Sequence, residues 1–434
     1  MAFDGAFNLY EGRLSVLRLQ CHALRILRMT IQTTENVNTD ISLGGIMIEG
    51  LSDTEKELYK NTQKFGNQYI KPNAMEYIRN KKWPYDIFEK CAEEDLIGIQ
   101  FDEAFGGQGA TLAEECIVNE NFARADSSVG FAITSATAGA TAVSQFGTKK
   151  QKEKYIEPIT DGEMIGGIGM TEPDTGSSIS DISTTAVREG DSYTINGKKK
   201  WVGNGTVADW IVTLCRTDLE QTDTHQGLSF IIVPTNKPGY TAEPMDKLGL
   251  DAADHGRLTY DEVTVPTENL IGDKEGRGFY QALDWLNHGR VTTAATAVGM
   301  AQGAFDRALE YAKQREQGGQ IIGDYQGMRW KFASMYEKIH LSRSQMYRAA
   351  HSVEQGSTDV TGTDPISQAS IAKLSATENA QDVAREAIQV FGGDGYAKEY
   401  EVEHFFRDVR STTLYEGTSE ILQNTIGKVL FDDL

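Results

Sequence analysis

DSYTINGKKKWVGNG, residues 191–205, is the stretch from which the fold is read. Polar and apolar side chains alternate through Asp191–Asn196, the period of a strand with one buried face. Turn formers follow at Asn196-Gly197 and again at Asn204-Gly205. The apolar runs Trp210–Leu214, Leu228–Val233 and Leu258–Val265 continue the pattern, separated by Gly, Asn and Pro. The spacing predicts a middle β domain, barrel-like or a sandwich, over residues 163–276.

On either side the period is helical. Ser52 with Glu55 forms a capping-box signature, and Leu58, Phe65 and Tyr69 follow at helical spacing. Helical patterns recur at Ile87–Leu96, Leu112–Ala123 and Val129–Phe146, giving a helical N-terminal domain over 51–162. The Gly106-Gly107-Gln108-Gly109 turn between them is no dinucleotide fingerprint, because no strand pattern precedes it and the spacing is wrong. After Gly276 the chain reads as Val291–Lys313, Met328–Glu354, Pro365–Phe391 and Thr418–Leu430, a four-helix bundle over 277–434. The expected class is α+β, ordered helical, β, helical.

Composition removes several functions. The net charge of −21 opposes nucleic acid as a partner, since phosphates would be repelled. No window approaches the apolar length of a membrane span. The four cysteines, Cys21, Cys91, Cys116 and Cys215, are scattered, which suggests reduced thiols. The seven histidines show no HxxxH or HExxH spacing, so no metal site is expected. Residues 1–50 differ from the rest: Arg13, Arg18, Arg25 and Arg28 are interleaved with apolar residues in an acid-poor segment. Such a segment reads either as a transit peptide or as an extension upstream of a start at Met29 or Met47, poorly ordered in either case.

The chemistry concentrates in STTLYEGTSE, residues 411–420. Glu416 stands between Tyr415 and the Gly417-Thr418 pair, and glycine lets a second molecule approach the carboxylate. In an apolar slot its pKa would rise, making it a base usable near neutral pH. The alternative is a solvated acid at a helix start.

With that layout, the motifs resemble the acyl-CoA dehydrogenases. The resemblance rests on Phe122–Asp126, Phe146–Tyr155, Met170-Thr171-Glu172-Pro173 with Gly176-Ser177, Asn196–Gly205, Gln389–Tyr396, and Arg407-Asp408 with Leu414–Thr418. It implies FAD as cofactor and α,β-dehydrogenation of an acyl-CoA thioester. Glu416 would be the base, its own N–H helping to stabilise the thioester oxygen. The base position at the start of the first long bundle helix, used by some members, is Gly289 here and cannot serve.

By the same resemblance Met170, Thr171, Ser177, Trp201, Gly203 and Thr418 would contact FAD. Arg315, Gln326, Gln389, Gly392 and Gly393 would reach the FAD of a neighbouring subunit. Ser177, Arg290, Tyr415 and Gly417 would border the substrate. Without the resemblance Trp201 would read as a β-domain core residue and Gly392-Gly393 as a helix C-cap.

The implied partners are acyl-CoA, electron-transfer flavoprotein and further copies in a homotetramer, a dimer of dimers. The implied location is a prokaryotic cytoplasm, or the mitochondrial matrix if the leader is a transit peptide. Three features depart from the family pattern: Gly203 replaces a Ser or Thr facing the flavin, Asp174–Ser178 replaces a commoner Gly-Ala-Gly-Ser-Asp, and Gly318 replaces an aromatic. Gly203 leaves open an oxidase using O₂, and a non-catalytic CoA- or partner-binding relative is the third reading. Gly130, where glutaryl-CoA relatives carry Arg, disfavours a dicarboxylic substrate.

Overall fold

The computed structural model describes residues 51–221, 223–358 and 362–431. Residues from Glu57 onward form one compact unit. The Arg-bearing leader lies outside the described residues.

The N-terminal helices are α1 (Asp53–Phe65), α2 (Ala74–Asn80), α3 (Tyr85–Glu93), α4 (Leu112–Ala125), α5 (Ser127–Ser135), α6 (Ala138–Phe146), α7 (Lys149–Tyr155) and α8 (Glu157–Thr160). The Ser52–Glu55 box forms, with Ser52 N–H donating to Glu55 Oε2 at 2.7 Å. Thr111 with Glu114 and Thr148 with Gln151 repeat the device on α4 and α7. Val129–Phe146, expected as one helical stretch, is two helices. Thr134, Ser135 and Thr137 turn their hydroxyls back onto the carbonyls of Gly130, Ala132 and Thr134, competing with helix continuation.

The middle strands are β1 (Gly166–Gly169), β2 (Thr185–Glu189), β3 (Ser192–Gly203), β4 (Trp210–Arg216), β5 (Leu228–Pro234), β6 (Tyr240–Pro244) and β7 (His255–Pro266). They form one sheet in the order β1-β4-β2-β3-β7-β6, with β5 also paired to β4. β4 and β5 are buried along almost their whole length, which explains their unbroken apolar runs. Trp210, Leu214, Phe230 and Ile232 anchor the core there. β3 and β7 run antiparallel, and a bulge between Lys199 and Val202 inserts one residue into β3. Trp201 sits on that bulge with a left-handed φ of 61° and is turned outward. The β-domain core position that a tryptophan would ordinarily take is therefore not its place.

The C-terminal helices are α9 (Gly278–Gln314), α10 (Gln326–Gln355), α11 (Pro365–Phe391), α12 (Val402–Thr412) and α13 (Ser419–Phe431). α9 begins well before the expected Val291, and α12 joins the four helices read from the sequence. Asp364 caps α11 by accepting from the Ile366 and Ser367 N–H groups, and Gly392 ends it at φ 62°. Small residues bring α9 against α4: a Cβ on Gly299 would stand 2.2 Å from the Glu120 carbonyl oxygen. Among the described residues no helix is long and apolar enough to cross a membrane.

Candidate active site

α12 ends at Thr412, and the link to α13 carries Glu416 at φ 53° and Gly417 at φ 97°. Two left-handed residues in succession reverse the chain. The strain at a non-glycine residue is about 1–2 kcal/mol. Here it aims a carboxylate inward. The Thr293 hydroxyl, on α9, donates to Glu416 Oε2 at 2.6 Å.

Gly289, one turn earlier on α9, makes the room. A Cβ there would lie 2.7 Å from Glu416 Oε2 and 3.0 Å from Oε1. The absence of a side chain at 289 and the presence of an acid at 416 are one geometric arrangement.

Burial raises the Glu416 pKa above the usual carboxylate range. The Thr293 hydrogen bond and the nearby cations Lys373, His288 and Arg290 pull it back without cancelling the rise. Lys373, on α11, donates to the Gly417 carbonyl at 2.6 Å. Its pKa is lowered to about 8, chiefly by burial. Arg290 donates to Asn287 Oδ1 at 3.0 Å. Protein therefore crowds Glu416, while part of its surface opens onto a cavity.

That cavity has a volume of about 1050 Å³ and lies between sheet and bundle. Met170, Thr171, Ser177, Trp201, Gly203, Arg290, Tyr415, Glu416, Gly417 and Thr418 all line it. Trp201 shows 50% of its surface. A Cβ on Gly203 would meet nothing within 4 Å. Thr418 accepts from the Ile421 N–H at 3.4 Å at the start of α13.

Met170 and Thr171 are held from behind. Lys199 Nζ donates to the Met170 carbonyl at 3.0 Å and to Glu172 Oε1 at 2.9 Å. Glu172 also accepts from Ser183 N–H and Oγ, both at 2.7 Å, and from the Thr184 N–H at 2.9 Å.

The other expected residues are elsewhere. Arg315, Gln326, Gln389, Gly392 and Gly393 are exposed and do not line this cavity. Arg315 lies roughly 40 Å along α9 from Gly289, at 1.5 Å per residue. One turn before it, Tyr311 stacks on Phe391 at 4.2 Å and donates to Asp394 Oδ2 at 2.7 Å. Arg315 and the Gly392-Gly393 turn thus share the far end of the bundle.

Several residues in or behind the cavity wall escaped the sequence reading. Thr293, Lys373 and the pair Glu115–His288 carry no motif and meet across different helices. Lys199 did leave a signal: it continues the inward phase of Tyr193 and Ile195 along β3, where a lysine needs a buried partner.

Glu416 thus places a carboxylate of raised pKa on the wall of a ligand-sized cavity, with Lys373, His288 and Arg290 near enough to act on its charge. The chain belongs to the acyl-CoA dehydrogenase family, whose N-terminal, middle and C-terminal domains match residues 52–163, 167–263 and 276–431. The short-chain specific acyl-CoA dehydrogenase of Clostridium acetobutylicum is 36% identical over 87% of this chain and 98% of its own.

A chain from a structural study of the electron transferring flavoprotein of Acidaminococcus fermentans superposes with a TM-score of 0.83. It is 32% identical and covers 88% of this chain and 98% of its own. A glutaryl-CoA dehydrogenase from Mycobacterium smegmatis, solved in complex with FADH2, gives a TM-score of 0.81 at 26% identity. That match covers 88% of this chain and 95% of the other. The protein is an FAD-dependent enzyme that dehydrogenates acyl-CoA.

The residues present fit such a cofactor. Trp201 offers a flat, half-exposed ring at the cavity edge, and Gly203 leaves open space beside it.

Proposed function

We propose that Glu416 removes the α-proton of an acyl-CoA thioester bound in the cavity between sheet and bundle. One observation carries this reading: the Glu416 carboxylate, its pKa raised by burial, is packed against Gly289 and fixed by the Thr293 hydroxyl. Bound FAD supplies the acceptor for the hydride that leaves the β-carbon.

Glu416 orients its own N–H for the developing charge on the thioester oxygen. Arg290, Tyr415, Gly417 and Ser177 border the acyl thioester and its pantetheine. Met170, Thr171, Ser177, Trp201, Gly203 and Thr418 hold the cofactor from this chain. Arg315, Gln326, Gln389, Gly392 and Gly393, remote from the cavity, serve the cofactor of a second copy in a homotetramer built as a dimer of dimers. Electron-transfer flavoprotein takes the electrons onward, and the enzyme works in a prokaryotic cytoplasm.

The substitution Glu416→Gln tests the base. The variant stays yellow and binds acyl-CoA, while anaerobic reduction of its flavin slows by roughly 10²–10⁴-fold. Near-normal reduction would remove Glu416 from this role. In the wild type the rate falls as pH drops through the raised Glu416 pKa, because the protonated acid cannot accept the α-proton.

A second reading follows from Gly203, where the space beside the backbone is open. An acyl-CoA oxidase would use that opening for O₂. Substrate-reduced enzyme exposed to air decides between them: reoxidation within seconds marks the oxidase, persistence of the reduced flavin marks the dehydrogenase.

A further inference from the structure

The chain between β6 and β7 runs along the cavity, and Lys247, Leu248, Gly249 and Leu250 line it. This crossing belongs to no strand, so side chains from α12 and α5 anchor it. Asp408 Oδ1 accepts from the Leu250 N–H at 2.5 Å, and Asp408 Oδ2 from the Ser127 hydroxyl at 2.6 Å. Ser128 Oγ accepts from the Ala252 N–H at 2.7 Å. Arg407 donates to the Leu248 carbonyl and to Asp251 Oδ2, both at 2.9 Å. Behind these bonds, Asp126 caps α5 and pairs with His404 Nε2 of α12 at 2.9 Å. Asp408, Ser127, Ser128, Asp126 and His404 are all buried.

Two features show how closely the crossing is held. Leu250 is buried at a left-handed φ of 56°, a conformation that persists only where the surroundings impose it. Gly249 lies directly on α12. A Cβ there would stand 2.5 Å from Asp408 Oδ1 and 2.8 Å from the Arg407 carbonyl oxygen. Contacts that served only to join domains could fall anywhere along the crossing. Those of Asp408 and Arg407 fall on Leu248 and Leu250, which face the cavity. The same helix continues through the cavity residues Arg410 and Leu414 to Glu416, so wall and carboxylate share one support.

We propose that Asp408 and Arg407 are positioning residues for the reaction. They hold Leu248–Leu250 as a fixed wall against which the acyl-CoA thioester is seated beside Glu416. The inference deepens the proposed role of Glu416 and rests on it.

The test compares KM and kcat for butanoyl-CoA, with bound FAD measured by absorbance. In Asp408→Ala the Leu250 N–H loses its acceptor, and in Gly249→Ala the added methyl pushes the crossing off α12. Each should raise KM by about tenfold. Because the base is untouched, kcat at saturation stays within about threefold and FAD remains bound. Asp408→Asn keeps an oxygen for the Leu250 N–H and an NH₂ group for Ser127 Oγ, so its KM stays within about twofold of the wild type.

An unchanged KM in FAD-loaded Gly249→Ala would overturn the proposal, whether or not Asp408→Ala folds. So would a fall in kcat at unchanged KM, or an Asn variant as impaired as a folded Ala variant. Butanoyl-CoA binding is also titrated through the flavin spectrum in Glu416→Gln, with and without Gly249→Ala. Weakened binding in the double variant supports the wall even if Glu416→Gln reduces its flavin normally, a result that would overturn only the base.

Discussion

Two glutamates mark the two sides of the cavity, and their surroundings are opposite. Glu172, behind the sheet edge, accepts four hydrogen bonds, one of them from the buried Lys199 ammonium. Burial works to raise its pKa, but Lys199 and the bonds from Ser183 and Thr184 prevail and hold it near 2. Glu416, on the bundle side, accepts one hydrogen bond from a side chain, and its pKa stays raised.

The signs of their pH effects differ accordingly. The stability that Glu172 contributes is present above the unfolded carboxylate range and is lost as pH falls toward 2. Ionised Glu416 costs stability, because its folded pKa lies above the unfolded one, and the cost appears as pH rises through that range. One glutamate is bonded so fully that it holds a loop. The other is left short of bonds and can take a proton.

The largest effect should come from unbalancing the satisfied side. Lys199→Met leaves Glu172 buried without its counter-charge, a loss of about 3–5 kcal/mol in a urea unfolding series. Loosening of FAD should accompany it, because Met170 is tied to the same lysine. An unchanged unfolding midpoint would show that the pair does not hold this edge.

On the other side, Gly289→Ala intrudes on the end of a flexible side chain, so the protein folds while the Glu416 carboxylate moves. A displacement of this kind costs on the order of 10²-fold in kcat, measurable as flavin reduction at saturating substrate. Retained kcat would mean that Glu416 finds an equivalent position.

Thr293→Val removes the one hydroxyl that steadies the Glu416 anion. The acidic limb of the pH–rate profile then moves upward, by about one pH unit if the bond is worth about 1.4 kcal/mol. The plateau rate at higher pH changes little. A limb that stays in place would transfer the control of this pKa to Lys373, Arg290 and His288.

The smallest effect is expected at Gly203→Ser, where an added Cβ meets nothing within 4 Å. Stability should stay within about 0.5 kcal/mol, while the rate of flavin reoxidation in air reports on the second reading of the site.

The architecture was legible where local signals agree with packing. α11 shows this best: Asp364-Pro365 opens it and Gly392 closes it, and the sequence bounds match the observed Pro365–Phe391. β1, reading GGIG, was not legible, because three glycines carry no alternation. α12 begins at Val402, preceded by Glu401 in a left-handed conformation with no capping hydrogen bond from its side chain, so no cap announces it.

The site divides in the same way. Tyr415-Glu416-Gly417-Thr418 and Met170-Thr171 are contiguous and visible as motifs. Glu115 and His288 are brought together only by the packing of α4 on α9, a relation between distant segments that no spacing records.

The contact between Gly289 and Glu416 also constrains descent. An acid gained at position 289 while Glu416 remained would drive two carboxylates into one small volume. On the role proposed for Glu416, losing it first would leave the cavity without its base. On that reading the glycine at 289 and the acid at 416 form a coupled pair, and a change at one is felt at once by the other.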